Sequence, residues 1–180
     1  MHERQFHGDV ERLRSPRRLE MLEVERVVDI SLNNIKAKHV LDIGVGSGVF
    51  AEAFTARGLE VTGIDINPQM IDIVQSLLPN GHFQVAVAES LPFPEKTFDV
   101  VFLGHILHEA QNAFTMLQEA RRVANVRVAV LEWPYQQEEI GPPLAHRMKP
   151  DEITVLAQEI GFRQYEEIRL THMGLYLMTK

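Results

Sequence analysis

Apolar positions along the chain switch repeatedly between a period of two and a helical period. Val40-Leu41 with Ile43 two on reads as a strand that stops in Gly44, Gly46 and Gly48. Phe50, Ala51, Ala53 and Phe54 follow at helical spacing to about Arg57, with Gly58 as the cap. Leu59 to Ile64 alternates and is rich in β-formers, which predicts a second strand ending at Asp65. Asn67-Pro68 opens a helix carried by Met70, Ile71, Ile73, Val74 and Leu77, and Pro79-Asn80-Gly81 closes it as a turn. His82 to Val87 reads as a third strand and Phe98 to Leu103 as a buried fourth. A helix with Ala113, Phe114, Met116, Leu117 and Ala120 follows, ending near Val123, and then a fifth strand from Val126 to Leu131. Pro150-Asp151 starts a last helix through Ile160, capped by Gly161. Two strands, about 162–170 and 173–179, close the chain as an antiparallel hairpin. Ahead of the first strand, about 16–33 reads as one helix, with Ser15 as N-cap and Leu19, Leu22, Val27 and Ile30 near one face.

Strands alternating with helices predict an α/β fold, a mostly parallel sheet with helices on both faces and the hairpin adding an antiparallel member at one edge. A chain of 180 residues is expected to form one domain over 1–180. Its parts are an N-terminal arm and helix (1–34), a core (38–135), and a C-terminal part (136–180) of loop, helix and hairpin. The polar, Pro-containing run from Gln136 to Pro150 is too long for an idle connection and suits a lid.

Composition removes several classes of function. No apolar run approaches the ~20 residues of a membrane span, and the first residues lack the basic-then-apolar order of a secretory signal. These features together point to the cytoplasm. A net charge of −7 argues against a broad nucleic-acid footprint. With no cysteine, disulfides, thiolate catalysis and Cys-based metal sites are excluded. Charge is nevertheless uneven: Arg12, Arg14, Arg17 and Arg18 cluster around Ser15-Pro16. That cluster is either a solvated arm or a flap that closes over a cofactor or binds an anionic substrate.

Strand, glycine turn, helix brings a ligand against bare backbone at a helix N-terminus. The spacing V-L-D-I-G-V-G-S-G is G-x-G-x-G, with Val49 where the dinucleotide fingerprint G-x-G-x-x-G has its third glycine. Asp65 ends the second strand about twenty residues on, where an acid meets a ribose diol; a carboxylate accepts from both hydroxyls. The plainer alternative makes it a turn residue before Asn67-Pro68. With Asp42 two residues before the first glycine and the run A-V-A-E-S-L-P-F-P-E-K-T-F-D-V-V-F at 86–102, the chain resembles the class I S-adenosylmethionine (SAM) methyltransferases. Within them it is similar to the small-molecule branch with the ubiquinone and menaquinone C-methyltransferases and the arsenite methyltransferases. It looks closer still to small unassigned members with an R-L-x-S-P-x-R-like start and G-P-P after strand five.

The resemblance implies a Rossmann-like, seven-stranded sheet with one antiparallel strand. It also implies SAM as cofactor, S-adenosylhomocysteine (SAH) as product, and a site at Asp42, Gly44, Val45, Gly46, Ser47, Gly48, Asp65, Ile66, Ala88, Glu89 and Gly104. One position departs from the pattern. The acid that commonly holds the adenine amino group falls on Val87 here, so that contact passes to Glu89 or to backbone around Ala88. Arsenite methylation needs soft thiolate ligands, which this chain lacks.

Methyl transfer from a sulfonium needs alignment above all, and a base only where the acceptor must lose a proton. His105, His108 and Glu109, just beyond strand four, are the candidates for catalysis, with Glu109 able to orient an imidazole or bind a cationic substrate. The alternative is that His108-Glu109 only cap the next helix. His105 and His108 are spaced to share a helix face, yet H-x-x-H-E matches neither common metalloprotease pattern, and no metal is assigned. Trp133 and Tyr135 either stack on a planar acceptor or pack. The expected partner is a small-molecule methyl acceptor, with no nucleic acid and no membrane span, and with a homodimer left open. The competing readings are a non-catalytic SAM- or nucleotide-binding module, favoured by Val87, and an NAD-dependent oxidoreductase, disfavoured by Val49.

Overall fold

The computed structural model describes residues 10–138 and 140–180. The first nine residues of the arm, and Glu139 in the 136–150 loop, lie outside them. Three short helices, α1 (Val10–Leu13), α2 (Pro16–Leu22) and α3 (Val24–Leu32), precede β1 (His39–Ile43). Then come α4 (Val49–Ala56), β2 (Glu60–Asp65), α5 (Pro68–Leu77), β3 (His82–Val85), β4 (Phe98–Gly104), α6 (Ala113–Val123), β5 (Ala124–Glu132), α7 (Pro150–Ile160), β6 (Gln164–Arg169) and β7 (Gly174–Thr179).

Seven strands form one sheet in the order β3-β2-β1-β4-β5-β7-β6. β1 to β5 pair in parallel, whereas β7 runs antiparallel to both β5 and β6. The hairpin is at the edge as expected, but its second strand inserts next to β5, so the reversed strand is internal and β6 is the edge. The reason is burial. β7 reads G-L-Y-L-M-T and is buried along almost its whole length, while β6 reads Q-Y-E-E-I-R and is largely exposed. Only the apolar strand gains by lying between two neighbours.

Alternate residues of the strands feed two cores. Val40, Val61, Val100, Phe102, Ala129 and Leu131 pack against α3, α4 and α5. Leu41, Ile43, Ile64, Leu103, Val128 and Val130 pack against α6 and α7. Phe102 is fully buried under Phe50 and Phe54, with ring centroids 4.6 and 5.5 Å away. A truncation there would cost roughly 3–5 kcal/mol. No helix among the described residues is long and apolar enough to cross a membrane.

The expected helix over 16–33 is two. Glu23 takes a left-handed conformation (φ 45°) and serves as C-cap of α2 and N-cap of α3. Two contacts hold it there: its Oε1 accepts from Arg26 Nη1 at 2.7 Å, and its Oε2 accepts from the Thr171 N–H of the β6–β7 turn at 2.8 Å. The break lets Leu22 and Val27 both be buried while α2 turns toward the strand tips. Elsewhere the boundaries move by a residue or two; the α4 C-cap is Arg57, with Gly58 (φ 80°) just beyond it.

Candidate active site

Register decides where the site lies. Ile43 pairs with Ile64 and with Leu103, Asp65 with Val85, and Gly104 with Leu131. The carboxyl ends of β1, β2, β3, β4 and β5 therefore stop nearly level, and the strand order reverses between β1 and β4, where open α/β sheets bind ligands. A cleft of about 1120 Å³ opens there. That exceeds the roughly 300–1,000 Å³ of a usual small-molecule pocket, leaving room for two ligands.

The half over β1 to β3 is mostly main chain. Gly44 and Val45 donate to the Ile64 carbonyl at 2.8 and 2.9 Å, which folds the loop back over β2. Gly44 (φ 71°) must be glycine, since a Cβ would lie 2.4 Å from Ile106 Cγ2. At Gly46 (φ 50°) a Cβ would meet only the Gly44 carbonyl oxygen, at 3.9 Å, so bare backbone is presented to the cleft. Asp65 is braced at both oxygens: Oδ2 accepts from Gly46 N at 2.9 Å and Oδ1 from Asn67 N at 2.9 Å. Burial raises its pKa against those hydrogen bonds. Asn67 caps α5 by accepting from Gln69 N, so the N-cap role falls to Asn67, while the bond from Asn67 N gives Asp65 the turn role. Val45, Ser47, Ile66, Ala88, Glu89 and Gly104 line the same cleft, and Glu89 Oε1 accepts from Gln111 N at 3.1 Å. Val87 lines it too, 47% exposed.

Two of the expected cofactor residues do not reach the cleft wall. Asp42 is 2% exposed beneath the loop, where its carboxyl accepts from the Ala51 N–H of α4. Burial, with the negative charge of Asp65, pushes its pKa up to about 8. Gly48 (φ 80°) caps α4, and a Cβ there would sit 2.7 Å from Val74 Cγ2, so its role is close packing of α4 on α5.

The half over β4, β5 and β7 is made of side chains. Beyond β4, His105 adopts φ 60° and Leu107–Glu109 form a single 3-10 turn, so His105 and His108 do not share a helix face. His105 is buried against Trp133, ring centroids 5.0 Å apart, and among the described residues its Nε2 has no hydrogen-bond partner. Burial, and then the charges of Arg18 and His108, hold its pKa well below the usual value, so it is neutral. His108 has a 6% exposed side chain, and its Nδ1 lies 2.8 Å from Glu132 Oε2. Glu132, at the end of β5 and 2% exposed, also accepts from the His108 N–H at 3.2 Å and the Trp133 N–H at 3.3 Å. Burial alone would lower the His108 pKa; the charge and hydrogen bond of Glu132, with Glu109, override it and raise it.

The expectation that Glu109 orients the imidazole is thus corrected. Glu109 Oε1 is 3.8 Å from His108 Nε2, too far for a hydrogen bond, while Glu132 makes the bond from the other side. The signal for Glu132 was present: like Asp65, it is an acid ending an apolar strand.

The 136–150 loop is pinned rather than hinged at its ends. Arg147, its side chain 1% exposed, donates to the carbonyls of Pro134, Gln136, Ile140 and Pro142 at 2.8–3.0 Å and pairs with Glu138 at 3.1 Å. Its guanidinium lies over Trp133, 5.3 Å from the ring centroid. Trp133 is accordingly a packing residue between His105 and Arg147, and Tyr135 lies off the cleft, under Lys149. At the other wall, Arg14 donates to the Ser47 carbonyl at 2.6 Å and pairs with Glu52, tying the start of α2 to the glycine loop. Among the described residues no group of three metal-binding side chains occurs.

Comparison with known proteins agrees with this arrangement. Residues 41–127 match the family model described as a methyltransferase domain. An uncharacterized methyltransferase of Bacillus subtilis is 35% identical over 94 residues, covering 49% of this chain and 37% of that protein. A demethylmenaquinone methyltransferase of Thermotoga maritima is 31% identical over 112 residues, covering 60% of this chain and 48% of that protein. The matches thus span less than half the length of these relatives. The crystal structure of a SAM-dependent methyltransferase from Aquifex aeolicus has a TM-score of 0.85 at 21% identity, covering 94% of this chain and 96% of that one. The seven-stranded fold is therefore that of SAM-dependent methyltransferases.

Proposed function

We propose that this chain is a cytoplasmic SAM-dependent methyltransferase that acts on a small-molecule acceptor. The observation that carries the proposal is one cleft with two differently built halves: bare backbone at Gly44–Gly46 beside a braced Asp65, and a buried His108–Glu132 pair. The methyltransferase domain over 41–127 supports it. The residues present fit the cofactor. Gly46 leaves the loop open, Asp65 keeps lone pairs beyond its two backbone bonds for a diol, and apolar Ile66 and Val87 suit the faces of an adenine ring.

When bound, SAM supplies an electrophilic methyl group on a sulfonium. The chain has to hold the acceptor in line and take its proton. Orientation of two bound reactants is worth roughly 7–11 kcal/mol. His108 suits the proton transfer: bonded to Glu132, Nδ1 carries the hydrogen and Nε2 is left as the acceptor. The Glu132 carboxylate at 2.8 Å then stabilises the imidazolium that forms. His105, held neutral by burial, lines the pocket without storing charge.

Calorimetric titration with SAM, SAH and NAD in parallel tests the proposal. Binding of the first two and not the third is expected, followed by methyl transfer in an acceptor screen. Binding of SAH with no transfer across the screen would instead favour a non-catalytic SAM-binding module, the reading that Val87 supports; no binding of either sulfur ligand would overturn both.

A further inference from the structure

The acceptor half of the cleft has a charge of its own. In a chain of net charge −7, Arg12, Arg17 and Arg18 all line the cleft from α1 and α2. Arg14 is already engaged with Ser47 and Glu52. Arg18 is different: it is half-buried and makes no hydrogen bond or ion pair among the described residues. It lines the cleft with His105, Ile106 and Glu109 of the stretch beyond β4; its charge reaches His105, and the charges of Arg12 and Glu109 reach it. Its pKa is lowered first by burial and then by Arg12, with Glu109 opposing. The cleft wall also carries apolar side chains: Met21, Leu22, Ile106, Ile140 and Met173.

A guanidinium stays charged in proteins, and a half-buried one without a bonded counter-ion is costly. Its planar fork matches a carboxylate in bidentate fashion better than any neutral group. A cleft with apolar wall residues and an unbonded, half-buried guanidinium among its arginines suits a molecule with an apolar body and one anionic end.

Resting on the methyltransferase reading, we propose that the acceptor is a small apolar acid whose carboxylate is bound by Arg18, with the methylated atom presented to His108. The shared chemistry is a carboxylate, and the cofactor's own methionine carboxylate is the rival source, so the test separates the two.

The experiment is calorimetry on the full chain, first with SAH and then, SAH-loaded, with matched acid and amide pairs: salicylate and salicylamide, 4-hydroxybenzoate and 4-hydroxybenzamide, 3-phenylpropionate and its amide. In at least one pair the acid is expected to bind about tenfold or more tightly than the amide, as a charged hydrogen bond implies. Arg18→Gln should abolish that preference with SAH affinity kept, and Arg18→Lys should retain part of it; thermal melts confirm that both variants fold. No preference in any pair, or a preference that survives in Arg18→Gln, overturns the proposal. So does a loss of about tenfold in SAH affinity in Arg18→Gln, which would give the arginine to the cofactor. Failure of the unaltered chain to bind SAH is a different result, and overturns the methyltransferase reading itself.

Discussion

The two halves of the cleft reach the same end by opposite means. Over β1 to β3 the groups offered to a ligand are backbone, and one carboxylate is held by two backbone N–H groups. Over β4, β5 and β7 they are side chains from separate stretches, Arg18, His105 and His108, and the loop pinned by Arg147, with Glu132 and Trp133 packed behind the two histidines. The first half suits a ligand common to many proteins, because backbone geometry depends little on which side chains surround it. The second suits specificity and proton transfer, because side chains there, His108 above all, are fixed by partners distant in the chain.

Breaking the second half should have the larger effect. His108→Ala is expected to lower turnover by about 10²–10⁴-fold while SAH affinity, measured by calorimetry, changes little. Since Glu132 raises the His108 pKa above the ordinary 6.5, and the base works when neutral, turnover should rise with pH through a limb above 6.5. Glu132→Gln should shift that limb to lower pH and cost more turnover than Glu109→Gln. A pH–rate series on the two variants decides it, and equal losses would return the orienting role to Glu109.

Asp65→Ala attacks the first half. Affinity for SAM should fall by about 1–3 kcal/mol, the cost of losing charged hydrogen bonds, with turnover at saturating SAM far less affected than in His108→Ala. Unchanged affinity would remove Asp65 from the ribose site.

Asp42 sharpens the comparison from beneath the loop. An unfolded Asp ionises at about 3.8, and in the fold this one is pushed up to about 8. Between those values the native state holds a proton that the unfolded chain has released, so stability falls as pH rises across the window and levels off above it. Asp42→Asn keeps an acceptor for the Ala51 N–H and removes that slope. It should stabilise the protein by at most about 6 kcal/mol at pH 8 and by about 1–2 kcal/mol at pH 5, read from denaturant midpoints.

The first half could be read along the chain because its parts are local. Gly44 to Gly48 are contiguous, and Asp65 is one strand away, placed by the same β–α–β unit. Even there, the family resemblance put Asp42 and Gly48 on the ligand side. Whether a residue beside a glycine turn faces ligand or core depends on the helix packed behind it, and here Ala51 claims Asp42 and Val74 claims the space at Gly48. In the second half Glu132 is twenty-four residues from His108, and nothing in the spacing distinguishes it from Glu109, which is adjacent in sequence. Parallel pairing of β4 and β5, with His105 N–H bonded to the Leu131 carbonyl at 2.8 Å, is what brings the two tips together.

Periodicity, glycine spacing and the acid at a strand tip were thus enough for the α/β architecture, the cleft position and the backbone-built half, because each depends on contacts within a few tens of residues. The break of the first helix at Glu23, the insertion of β7 beside β5, the choice of Glu132 over Glu109 and the anchoring of the 136–150 loop by Arg147 belong to tertiary structure. Each is settled by a competition for burial or for a buried hydrogen bond between segments far apart in the chain; a local pattern can name the candidates, as the acid ending β5 does, but not which of them wins.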